Sequence, residues 1–117
     1  MDGIFPGRLP LPVLAVEPRR ARELVERQNA LIVDVREPDE WADARIPGAL
    51  HIPLGQIEAR VGEIPRDRPV ILQCRSGNRS AGATRALLEL GFTNVHNLEG
   101  GIGDWAADGL PMEYGGE

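Results

Sequence analysis

Short apolar runs alternate along the chain with segments whose apolar residues recur at helical spacing. VLAV, residues 13 to 16, has the length of a short buried strand. Glu17-Pro18 then marks a helix start, and Ala21, Leu24, Val25 and Gln28 share one face, which predicts a helix over about 18–28. LIVDV, 31–35, is a β-branched run ending in an acid, as a buried parallel strand would. A short helical pattern from Glu37 to Ala44 precedes the Pro47-Gly48 turn signal and a third strand, Ala49 to Ile52. Leu54 to Val61 predicts a further short helix, and PVILQ, 69–73, gives the clearest strand. Ala83, Ala86, Leu87 and Leu90 fall at i, i+3, i+4 and i+7 ahead of Gly91, predicting a helix over about 79–90. A strand at Val95 to Leu98 and a helix at Gly101 to Ala107 complete the series. Strands alternating with helices at such short intervals predict an open α/β sheet with helices on both faces. Residues 1–12, with three Pro and two Gly, read as an extended arm, 13–112 as one domain, and 113–117 as a C-terminal tail.

Composition narrows the chemistry. With 117 residues and 42% hydrophobic content the chain suits one core. No apolar run approaches the roughly 20 residues that cross a bilayer, and the N-terminus shows no export signal, so no membrane partner is expected. A single Cys forms no internal disulfide and fits a reducing compartment, which points to the cytoplasm. The net charge of -5, without a basic block, argues against nucleic acid. The charge comes from 13 Arg, no Lys and 18 acids, and the missing lysines exclude Schiff-base chemistry, internal pyridoxal phosphate linkage and a phosphate-loop lysine. The two serines, Ser76 and Ser80, lie outside any G-x-S-x-G motif.

The lone Cys74 stands at the carboxyl end of the clearest strand, where ligand crevices of open α/β sheets form. Arg75, Ser76, Gly77, Asn78 and Arg79 follow, a run able to curl its backbone N–H groups inward around an anion, with Gly77 and Asn78 tolerant of unusual φ. The next helix adds about half a positive charge at its N-terminus, and Arg75 and Arg79 add full charges nearby. Such surroundings lower a thiol pKa from about 8.5 to roughly 3.5–7.5, so Cys74 is expected to be a thiolate nucleophile rather than a small buried hydrophobe.

The stretch CRSGNRS, 74–80, behind an apolar strand resembles the active-site loop of the rhodanese family, and in particular of its small single-domain sulfurtransferases. DVREPDEWADARIPGALHIP, 34–53, and NVHNLEGGIGDWAADGLP, 94–111, resemble two further stretches of that family, in family order, so the likeness runs from about residue 13 to 111. One departure is Ala44-Arg45, where many members have Gly-His. The resemblance implies a rhodanese-like, five-stranded parallel sheet and a double displacement. Cys74 would take the outer sulfur of a donor such as thiosulfate, hold it as a persulfide, and pass it to cyanide, a cellular thiol or a protein acceptor. It implies no metal and no organic cofactor, and it makes residues 75 to 80, Ser80 included, the loop that holds substrate and persulfide.

Asp34 and Arg36 sit just beyond a strand near the expected crevice and are read as braces of the neighbouring loops in preference to direct contact with substrate. Glu37 and Trp41, one turn apart, are expected to pack and cap locally, and Trp41 and Trp105 to serve as buried anchors or to line a pocket mouth. His51 and His96 lack partners at ligand spacing, so a zinc site is not expected. Gly100-Gly101 reads as the tight turn into the last helix. Two rival functions remain. A cysteine phosphatase or arsenate reductase shares the thiolate-in-a-cradle logic but uses C-x5-R, one residue longer than Cys74 to Arg79 here. A non-catalytic binding module of the same fold would have little use for the cysteine and both arginines. A thioredoxin-type redox role lacks its second Cys.

Overall fold

The structure, a computed structural model, describes residues 13–115. Seven strands and four α-helices follow one another as β1 (Ala15–Val16), α1 (Pro18–Gln28), β2 (Leu31–Asp34), α2 (Pro38–Asp43), β3 (Ala44–Arg45), β4 (Leu50–His51), β5 (Val70–Gln73), α3 (Asn78–Glu89), β6 (Val95–Leu98), α4 (Gly101–Ala107) and β7 (Glu113–Tyr114). The main sheet is parallel throughout, in the order β1-β6-β5-β2-β4.

That order places the site. From β2 the chain moves outward to β4, whereas from β5 it moves the opposite way to β6, so the connections diverge between two adjacent strands. A crevice opens at such a switch point, above the carboxyl ends of the strands. Cys74 follows β5 and Arg36 follows β2, and the register pairs Asp34 with Gln73, so both corners lie side by side.

Each face of the sheet buries its own apolar layer. Val33, Val35, Leu72 and Val95 meet α3 through Ala83 and Leu87, while Ile32, Ile71 and Leu98 meet α1 and α4 through Ala21, Leu24, Ile102 and Trp105. Strands covered on both sides read as unbroken apolar runs, which explains why β2 and β5 stand out in the sequence. Ile71 and Leu72 are fully buried, each side chain contributing about 1.5–3 kcal/mol of burial.

Local sequence ends the elements. Pro18 opens α1 behind Glu17, whose carboxylate accepts from Arg19 N–H at 3.1 Å, and Asn29 closes it at φ 58°. One expectation is corrected: Leu54 to Val61 forms no α-helix; Leu54–Gln56 and Val61–Glu63 are separate 3₁₀ turns whose Ile57 and Ile64 plug the core. Within the C-terminal tail, Glu113 and Tyr114 pair antiparallel with Arg45 and Ala44. Arg45 strengthens that pairing by donating to the Gly115 carbonyl at 3.0 Å. The N-terminal arm, 1–12, lies outside the described residues.

Candidate active site

Cys74 leaves β5 with 1% of its surface exposed. Behind it the chain makes a short loop, and Gly77, at φ 103°, turns into α3 as its N-cap. A residue with a side chain resists that φ, which accounts for glycine at this step. The turn brings three donors to Cys74 Sγ: Gly77 N–H at 3.1 Å, Ser80 N–H at 3.4 Å and the Ser80 hydroxyl at 3.3 Å. Burial pushes the thiol pKa up. The Ser80 hydroxyl and the N–H groups of Ser80, Gly77 and Ser76 outweigh it, and the thiol ends below its ordinary value.

The arginines contribute differently from the sequence expectation. Arg75 is exposed, and Arg79, whose charge still acts on Cys74, makes no hydrogen bond to the sulfur and forms a two-pronged pair with Glu40 of α2, at 2.8 and 3.0 Å. That pairing holds the Glu40 carboxyl down at about 2. Hydrogen-bond donors, rather than cationic side chains, therefore touch Sγ. Asn78, the first residue of α3, is exposed, and Ser76 is exposed beside it.

The last helix closes the far side. Ile102 N–H donates to the Cys74 carbonyl at 2.8 Å and Gly103 N–H to the Arg75 carbonyl at 3.1 Å. The approach is so close that a Cβ on Gly101 would collide with the Cys74 carbonyl oxygen, and Gly101 also adopts φ +60°. Gly100 is the N-cap of this helix, in line with the turn read from the Gly-Gly pair.

Asp34 and Arg36 meet as a buried pair. Arg36 donates from Nε and Nη2 to both Asp34 oxygens at 2.8–3.1 Å, and its backbone N–H caps the same carboxylate at 2.9 Å. Nη2 also donates to the Ala44 carbonyl at 2.6 Å, and His51 Nε2 lies 2.8 Å from the Arg36 carbonyl. Trp41 stacks on His51 with ring centroids 4.8 Å apart. Trp105 is buried in the core, its indole N–H donating to the Pro111 carbonyl at 2.8 Å, and His96 pairs with Asn94 at the surface. Beside this corner an open cleft of about 450 Å³ is lined by Arg36, Glu40, Arg75, Ile102, Met112 and Tyr114 among others.

Sequence reasoning passed over two site residues. Glu40 reaches Arg79 from a separate helix, and nothing in the spacing of the two signals it. Asn97 points the same way as Val95 and binds both the Gly77 carbonyl and Ser80. A polar residue at an inward position of an otherwise apolar strand was the available signal.

A rhodanese-like domain model matches residues 17–108. A protein of Allochromatium vinosum described as a sulfurtransferase is 45% identical over 92 residues, covering 79% of this chain and 86% of that protein. The thiosulfate sulfurtransferase GlpE of Glaesserella parasuis is 31% identical, covering 86% of this chain and 93% of its own. Among solved structures, a rhodanese-related protein from Thermoplasma volcanium superposes with a TM-score of 0.78 at 30% identity, over 86% of this chain and 97% of the other. The strand-loop-helix around Cys74 thus sits in a fold and a sequence shared with these proteins over most of the chain, and the chain belongs to the rhodanese-like sulfurtransferase family.

Proposed function

We propose that Cys74 carries sulfur between an anionic donor and a thiophilic acceptor, with thiosulfate as the donor. The Cys74 thiolate attacks the outer sulfur of thiosulfate, the S–S bond breaks, and sulfite leaves with the bonding pair. The enzyme is left as a Cys74 persulfide, itself an anion. Cyanide or a thiolate then attacks the outer sulfur, takes it as thiocyanate or a new persulfide, and restores the Cys74 thiolate. Every step is two-electron and needs no metal or organic cofactor. The observation that carries this reading is the set of donors at 3.1–3.4 Å from a sulfur at the end of β5. They favour an ionised nucleophile, and the backbone N–H groups among them face an anionic intermediate. The thiosulfate sulfurtransferase named above, similar over most of both chains, supports the choice of donor.

Burial of Cys74 favours a donor that presents a single exposed sulfur over one that must seat a tetrahedral phosphoryl group. The engagement of Arg79 with Glu40 argues the same way, since a phosphatase needs its closing arginine on the phosphate. Intact-protein mass spectrometry tests the proposal. The protein should gain one sulfur atom on treatment with thiosulfate and lose it on addition of cyanide. Hydrolysis of aryl phosphates through Cys74 faster than sulfur transfer would replace this reading with the phosphatase.

A further inference from the structure

The Ser80 hydroxyl stands between two acceptors. Its oxygen lies 3.3 Å from Cys74 Sγ and 2.5 Å from Asn97 Oδ1. Asn97 Nδ2 donates to the Gly77 carbonyl at 3.0 Å, which fixes the amide so that its oxygen, with no proton to give, faces Ser80. A serine hydroxyl has one proton, so it serves one acceptor at a time. Cys74, Ser80 and Asn97 are all buried, at 1%, 0% and 8% exposure, where each hydrogen bond weighs more than it does in water.

We propose that Asn97 is a positioning residue that competes with Cys74 for the single proton of Ser80. In the thiol form the chain runs in one direction: S–H donates to Ser80 Oγ, and Oγ–H donates to Asn97 Oδ1. When the thiol loses its proton, the hydroxyl rotates toward the thiolate and gives up its bond to Asn97. The gain at sulfur is reduced by the loss at the amide. The thiolate stays more basic than a full set of committed donors would leave it, and a more basic thiolate is intrinsically the stronger nucleophile. Once Sγ is bonded to a second sulfur or an alkyl group it loses its charge, and the hydroxyl returns to Asn97. The amide thus favours the occupied cysteine over the free thiolate.

This inference rests on Cys74 being the reactive thiolate of the proposal above. The charged or titratable groups on the elements around the sulfur are Arg79 with its partner Glu40, Arg85 and Glu89 of α3, Arg75 of the loop, the Asp34–Arg36 pair beyond β2, His96 of β6, and Asp104 of α4. None of them hydrogen-bonds to the side chain of Ser80 or Asn97, so they form a common background for variants at those two positions.

The test is the pH dependence of Cys74 alkylation by a neutral reagent in the unmodified protein, Asn97→Leu, Ser80→Ala and the double variant. Loss of the donor to the Gly77 carbonyl is common to both proteins that carry Asn97→Leu, so comparing the substitution with and without the Ser80 hydroxyl cancels it. With Ser80 present, Asn97→Leu should lower the midpoint by roughly half a unit to one unit more than it does in the Ser80→Ala background, the size of one net hydrogen bond. An equal shift in both backgrounds, no shift, or a relative rise would overturn the proposal and leave Asn97 as a strut for the loop. Asn97→Ala, which adds no bulk, replaces the leucine variant if circular dichroism shows the latter unfolded. A protein that alkylates with these midpoints yet moves no sulfur would defeat the functional proposal and leave this one standing.

Discussion

Two corners of the sheet lie side by side, and they use charge in opposite ways. Beyond β2, Asp34 and Arg36 close on each other, and the remaining guanidinium hydrogen bond goes to the Ala44 carbonyl. Beyond β5, among the described residues, Cys74 has no cationic partner at hydrogen-bond distance; its sulfur receives backbone N–H groups and a hydroxyl. A charge paired inside the fold is silent towards a ligand and holds chain segments together. Donors aimed at a group whose charge appears only on ionisation bias its chemistry. On the proposed function, the comparison gives two polar corners at matching positions of neighbouring strands different duties, bracing at β2 and reactivity at β5.

The sharpest way to break the comparison is at the sulfur. Cys74→Ser should abolish sulfur transfer to cyanide while leaving the thermal transition close to that of the unmodified protein, because the replacement is nearly isosteric and keeps a group able to accept from Gly77 N–H. Activity assay and a melting curve on the same sample check it. Undiminished transfer by the folded variant would remove Cys74 from the chemistry.

At the other corner the same kind of change should show in stability. Asp34→Ala strands a buried guanidinium and should cost about 3–5 kcal/mol, read as a lowered denaturant midpoint. Its effect on transfer should follow from unfolding alone, so activity per folded molecule stays within a few-fold. A stable Asp34→Ala protein with no transfer would instead place this corner in contact with substrate.

Much of this layout was legible in the sequence because it rests on local signals. The apolar runs of β2 and β5 report burial on both faces, and the Cys-to-helix spacing reports the loop. What escaped were contacts between segments distant in the chain. Glu40 meets Arg79 across 39 positions, so the charge that the sequence places near the thiolate is shared with a carboxylate. Ser80 and Asn97 meet across 17 positions. The antiparallel pairing of Glu113–Tyr114 with Ala44–Arg45 likewise joins two segments too short and too polar to announce a strand. The 3₁₀ turns after β4 fail as a helix because LGQIEARVGEIP carries two glycines and a terminal proline in so short a span.

The smallest expected effect concerns the Glu40–Arg79 pair, which stands between the two corners in character. Its members are a quarter and a third exposed, so solvent screens the pair and its contribution is held to about 0.5–1 kcal/mol. The folded pKa of Glu40, about 2, lies below the ordinary 4.5. The stabilisation is therefore present in full above about pH 4.5 and falls away as the pH drops towards 2, where the folded form also takes up the proton. Glu40→Gln should thus lower stability slightly at pH 6 and lose that difference as the pH approaches 2. It also releases the Arg79 charge towards the sulfur, so sulfur uptake from anionic thiosulfate should rise a few-fold at low salt and return to the unmodified rate as salt screens the charge. Stability curves at the two pH values and loading rates at two ionic strengths check both halves. A Glu40→Gln protein that loads sulfur more slowly at low salt would show that Arg79 acts through its fixed position on α2, and that the pair belongs with the braces.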